Sequence, residues 1–144
     1  MTVAHILKQK GGGVITVTPA TSLKEVADIL AKNRIGAVVV ADGNHGIAGI
    51  VSERDVVRAF SAHGAGITDK AARDIMTAKV YTCSPRDSES ELMSLMTAHR
   101  IRHLPVVDGG KLSGMISIGD VVKNRIESIE REAEHMKSYI ASAG

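Results

Sequence analysis

A serine and an aspartate three residues apart stand twice in this chain, each behind a glycine and a short apolar run: GIVSERD at 49–55 and GMISIGD at 114–120. Val-Val follows the aspartate both times. Ser-x-x-Asp at a helix start is first a capping box. The hydroxyl accepts from the backbone N–H of the third helical residue, whose carboxylate answers the serine's own N–H. Two features point beyond capping. The other such starts, SLKE and SESE, use glutamate, and the glycine-led approach repeats although a cap does not need it. A carboxylate at a strand–helix junction can accept hydrogen bonds from ribose hydroxyls. A serine hydroxyl and free N–H groups at a helix N-terminus suit a phosphate. Gly119 lets a ligand approach the backbone, whereas Arg54 in the first copy adds charge and bulk.

The elements that must position these residues are themselves duplicated. Residues 14–43 match 80–109 at ten positions, and 49–58 match 114–123 at five more. Fifteen identities in forty exceed the about two or three that composition alone would give, so the chain is an internal repeat. The one-residue difference between the two offsets falls in a turn, DGNHG against DGGK. Each copy reads β-α-β-β-α. VITVT and VYTCS are short strands stopped by Pro19 and Pro85. Leu23, Val26, Ala27, Ile29 and Leu30 recur at helical spacing, as do Leu92, Leu95 and Met96. IGAVVVADG and LPVVDGG run into glycine turns, IAGIVS and KLSGMIS return as strands, and ERDVVRAF and GDVVKNRI open the last helices. Between the copies a short helix is expected near residues 71–76. The predicted fold is α/β (α+β): two pseudo-twofold-related repeats sharing one module. Residues 1–66 hold the first repeat with its N-terminal segment, 67–126 the linker and second repeat, and 127–144 a helical tail.

Composition narrows the chemistry. The chain has 144 residues, 44% of them apolar, with two Tyr, one Phe and no Trp, so its core is aliphatic. A net charge of +2 and three aromatics argue against nucleic acid as a partner. The single Cys83 excludes an intrachain disulfide, and its repeat partner Val17 marks it as a packing residue. The six histidines (5, 45, 63, 99, 103 and 135) lie at no metal-ligand spacing. KQKGGGV lacks the ending of a P-loop, and no acid–base pair has a reason to converge, so a non-enzyme with no metal is expected. No apolar run reaches the about 18 residues of a membrane span. A soluble, cytoplasmic protein is the expectation.

RIRHLPVVDGGKLSGMISIGDVV and RIGAVVVADGNHGIAGIVSERDVV resemble the paired cystathionine-β-synthase (CBS) domains of Bateman modules, over roughly residues 5–126. The resemblance is to the stand-alone bacterial type. It implies two clefts, each joining adenine-holding backbone of one copy to the ribose-holding Ser-x-x-Asp of the other. Carried over, Gly12, Gly13, Val14, Ile35, Gly36 and Ala37 face Ser117, Gly119 and Asp120. Ala78, Lys79, Val80, Ile101, Arg102 and His103 face Ser52, Arg54 and Asp55. Family members often carry a second Ser or Thr directly before the Asp. Arg54 and Gly119 stand there, leaving Arg102 and His103 as candidates for the phosphate in the Asp120 cleft too. Their alternatives are a solvated strand-end charge and an ordinary core histidine. The Asp120 cleft is the expected lead site.

The implied function is a regulatory module binding an adenine nucleotide, AMP first, with ADP, ATP and NAD(H) open. It would act by shape change or by docking on a protein target. The alternative is a structural, partner-binding dimer with vestigial clefts. Ile126, Ile129, Ala133, Met136 and Ile140 form a heptad-like stripe in the tail, either packed on its own domain or, as favoured here, lying between subunits of a homodimer.

Overall fold

The computed structural model describes residues 1–11, 13–43 and 46–143. The order is α1 (Val3–Lys10), β1 (Thr16–Val17), α2 (Leu23–Asn33), β2 (Ala37–Ala41), β3 (Ile47–Ser52), α3 (Glu53–His63), a 3₁₀ turn (Gly64–Asp69), α4 (Ala72–Ile75), α5 (Glu89–His99), β4 (His103–Asp108), β5 (Lys111–Ser117) and α6 (Ile118–Ala143). None of these helices is long and apolar enough to cross a membrane.

In the first repeat β1 pairs parallel with β2, and β2 antiparallel with β3. The second repeats the antiparallel pair, His103 opposite Ser117 as Ala37 is opposite Ser52. The strand expected at VYTCS is reduced to one bridge, Cys83 to Val106. Proline accounts for this. In the first repeat Val39 N–H reaches Ile15 O at 3.4 Å, whereas its counterpart Pro105 has no N–H to give.

Serine begins each long helix of the repeats. Ser22 Oγ accepts from Glu25 N–H, and Ser88 and Glu91 close a full capping box. α2 and α5 end at Arg34 and Arg100, both left-handed at φ 53°. Their N–H groups bond back to Leu30 O and Met96 O.

The helix α1, absent from the repeat as read from sequence, crosses to the second repeat. Val3 and Ile6 belong to the core with Leu92, Met96, Leu104, Ile116 and Val121. α4 crosses the other way, putting Ala72 among Val26, Leu30, Val38 and Val51. The exchange is twofold in its backbone bonds. Val3 N–H to Asp87 O (2.9 Å) mirrors Ala72 N–H to Thr21 O (2.8 Å), and Glu89 N–H to Met1 O mirrors Leu23 N–H to Lys70 O, both 3.1 Å. It also explains the repeated glycines. A Cβ on Gly114 would lie 2.7 Å from Leu7 Cδ2, and one on Gly49 2.8 Å from Thr77 O. The lead-in to Ser-x-x-Asp therefore has a packing role: it seats the exchanged segment.

α6 runs 26 residues without a break. Asn124 ties it to the domain by donating to Glu89 Oε2 at 2.6 Å in a buried pair. Beyond that the stripe does not pack on its own domain: Ile126, Ile129, Met136 and Ile140 are 52%, 51%, 62% and 65% exposed.

Candidate functional site: two clefts between the repeats

Both Ser-x-x-Asp elements are capping boxes, as their spacing predicts. Ser117 N–H donates to Asp120 Oδ2 at 2.9 Å, and Asp120 N–H to Ser117 Oγ at 3.2 Å. The first copy has the same pair at 2.8 and 3.2 Å. Capping uses Oδ2 in each case. Among the described residues nothing bonds to Oδ1, so each carboxylate keeps an acceptor.

Each aspartate opens onto a cavity built by both repeats. The Asp120 cavity holds about 460 Å³. Gly13, Val14, Ile35, Gly36 and Ala37 of the first repeat line it, facing Ser117, Gly119 and Asp120, with Arg102 and His103 beside them. Gly12 lies outside the described residues. The Asp55 cavity holds about 250 Å³, and Ser52, Arg54 and Asp55 face Lys79, Val80, Ile101, Arg102 and His103 across it. Ala78, expected there, does not line it. A wider depression of about 790 Å³ beside β1 contains neither Ser-x-x-Asp element.

His103, at the start of β4, lies against Gly36 just before β2, so this segment serves both cavities. Arg102 and His103 line each of them. Gly36 makes room for the imidazole: a Cβ there would stand 3.0 Å from His103 Nε2. A Cβ on Gly119 would meet only Ser117 Oγ, at 3.6 Å, so that wall stays open.

Lys10 went unnoticed in the sequence. From the end of α1 its Nζ donates to Asp120 Oδ2 and to Met115 O, both at 2.8 Å. Partial burial alone would raise the Asp120 pKa. The hydrogen bonds from Lys10 and the Ser117 N–H outweigh it and hold the carboxyl below its ordinary range. Lys79 is the counterpart of Lys10 once residues 3–10 are set against 72–79. It does not reach Asp55 but lies 5.7 Å from the Tyr81 ring centre. The signal was faint, since only Ile6/Ile75 and Lys10/Lys79 are identical in that stretch. The extra glycines at 11–13 shift the offset from 66 to 69.

Burial pushes the His103 pKa down, and Lys10 and Arg102 add to this against the opposite pull of Glu53 and Asp120. The folded state thus favours neutral imidazole. As pH falls below about 6.5 the unfolded chain takes up this proton first, so stability is lost on acidification. The denaturation midpoint is expected to drop between about pH 7 and pH 5, and to drop less in His103→Gln. Equal drops would remove His103 as the cause. Cys83 is buried in the second core, its thiol pushed up to about 12 by burial and by Asp87, which suits packing and not nucleophilic chemistry.

A doubled β-α-β-β-α unit with exchanged helices and two clefts across a pseudo-twofold axis defines a tandem α/β module. The CBS domain model matches residues 12–62 and 72–127, and the chain belongs to the CBS-domain family. It is 31% identical over 147 residues to the mitochondrial CBS domain-containing protein CBSX3 of Arabidopsis thaliana, covering 96% of this chain and 71% of that protein. A CBS-domain protein of Agrobacterium tumefaciens has a similar structure, with TM-score 0.83, 42% identity and coverage of 87% and 99%. So does one of Pyrobaculum aerophilum complexed with AMP, with TM-score 0.74, 30% identity and coverage of 83% and 89%.

Proposed function

We propose that this protein is a regulatory module that binds an adenine nucleotide, AMP foremost, in the cleft at Asp120. One observation carries the reading. A carboxylate with a free acceptor oxygen, on one repeat, faces a small-residue wall of the other, Gly13, Gly36 and Ala37, across about 460 Å³. The carboxylate suits a ribose diol and the wall suits a flat base. Lys10, Arg102 and Arg34 at the rim suit a phosphate. The AMP complex of the Pyrobaculum relative supports the same ligand class. ADP, ATP and NAD(H) share the adenosine half. The Asp55 cleft, with Ser52, Arg54 and the Lys79–Val80 wall, is the second site.

A ligand that touches both repeats binds best at one angle between them, and so shifts the population of inter-repeat orientations. That change, read by a protein target, is the regulatory output. The module works as a homodimer. Val57 and Phe60 on α3 are 67% and 62% exposed, and Val122 on α6 is 48% exposed, continuing into the tail stripe. These apolar faces are what a second copy covers.

Native mass spectrometry of the purified protein tests ligand and assembly together. A dimer carrying an adenosine compound is expected. A bare monomer, with no thermal shift for AMP, ADP, ATP or NAD(H), would sink the proposal. A bare dimer equally silent to all four would favour the structural, partner-binding reading.

A further inference from the structure

The two clefts differ in charge far more than their matching Ser-x-x-Asp elements suggest. Five cations, Arg54, Arg58, Lys79, Arg100 and Arg102, line the Asp55 cleft against two carboxylates, Glu53 and Asp55. The Asp120 cleft has three, Lys10, Arg34 and Arg102, against Glu53 and Asp120, and Lys10 is already tied to Asp120 at 2.8 Å. Among the described residues the only ion pairs are Lys10–Asp120 and Lys24–Asp28, so none of the five cations around Asp55 has a carboxylate partner. Uncompensated like charges gathered around one concavity repel each other, and an anion bound there relieves that repulsion. Arg100 and its counterpart Arg34 hold the same left-handed position and line one cavity each, so the difference in charge lies in Arg54, Arg58 and Lys79.

We infer that the clefts are specialised by ligand charge: the Asp55 cleft takes a nucleoside polyphosphate and the Asp120 cleft a nucleoside of low charge such as the monophosphate. The inference rests on the adenosine reading of both clefts. The enclosed space at Asp55, about 250 Å³, holds the nucleoside part. The phosphate chain then runs out to Arg54, Arg58 and Arg100, which are exposed at the mouth. Arg54 stands where the other cleft has Gly119, so that mouth is charged where its twin is open.

Calorimetric titration of the full chain with AMP and with ATP, in magnesium-free buffer, tests this. Asp120→Asn leaves the Asp55 cleft to be read, and Asp55→Asn the Asp120 cleft. ATP is expected to bind at least about tenfold tighter than AMP in Asp120→Asn, an advantage that shrinks as salt rises, and within about threefold of AMP in Asp55→Asn. Arg54→Gln, Arg58→Gln and Arg100→Gly together, two exposed changes and one that relieves a left-handed residue, should erase the ATP advantage while AMP still binds. Equal ATP-to-AMP ratios in the two Asn variants would overturn the specialisation and leave the adenosine reading standing. No binding of either nucleotide to wild type or variants would overturn both.

Discussion

Asp120→Ala is expected to weaken AMP binding by about 30- to 150-fold, with Asp55→Ala staying within about threefold of wild type in the same calorimetric measurement. A hydrogen bond to a charged group is worth about 1.5–3 kcal/mol, and a ribose diol facing one carboxylate offers two. The full sum is not available to AMP. Asp120 Oδ2 already accepts from Ser117 N–H and Lys10 Nζ, leaving Oδ1 as the main acceptor. A net loss of about 2–3 kcal/mol follows, hence the stated range. The substitution also removes half of a capping box, costing about 1 kcal/mol of stability, so binding must be read well below the melting transition. Affinity unchanged in Asp120→Ala but abolished in Asp55→Ala would reverse the ranking of the clefts.

Ile6→Ala is expected to destabilise the protein by about 2–5 kcal/mol in denaturant unfolding, the cost of emptying a buried aliphatic site. The informative part is where the damage falls. Ile6 precedes the first repeat in the chain, but it is 3% exposed within the core of the second, beside Leu92, Leu104 and Ile116. Hydrogen exchange should therefore accelerate in β4 and β5 before it does in β2 and β3. Ile75, which follows the first repeat and packs on its core, should give the reverse pattern when truncated. Loss of protection confined to β2 and β3 in Ile6→Ala would contradict the exchange of helices. Because α1 also carries Lys10, a loosened α1 should weaken the grip on Asp120, coupling the second core to the first-ranked cleft.

The duplicated β-α-β-β-α unit, its Ser-started helices and the Ser-x-x-Asp junctions were legible in the residues, because they rest on local rules. Alternation, helical spacing and capping act within a few positions, and duplication makes each signal appear twice. The cleft positions came from the family resemblance: of those that are described all but Ala78 line a cavity, whereas Lys10, Arg34, Arg58 and Arg100 line them without having been expected. A single proline was enough to defeat a local expectation: Pro105 removes a ladder bond and leaves VYTCS as one bridge.

What the chain alone determined is thus the fold class and the duplicated unit with its two Ser-x-x-Asp junctions. Only the tertiary structure decided which helix fills which core, because α1 finds its apolar partners more than seventy residues away and its own pattern is short. It also decided that Lys10 reaches Asp120 whereas its counterpart Lys79 lies over Tyr81. It set His103 against Gly36, where a Cβ would stand 3.0 Å from the imidazole Nε2. Charge is where this matters most. A net +2 spread over the sequence says nothing of location, and the five cations around Asp55 come from three separate stretches that only folding brings to one mouth.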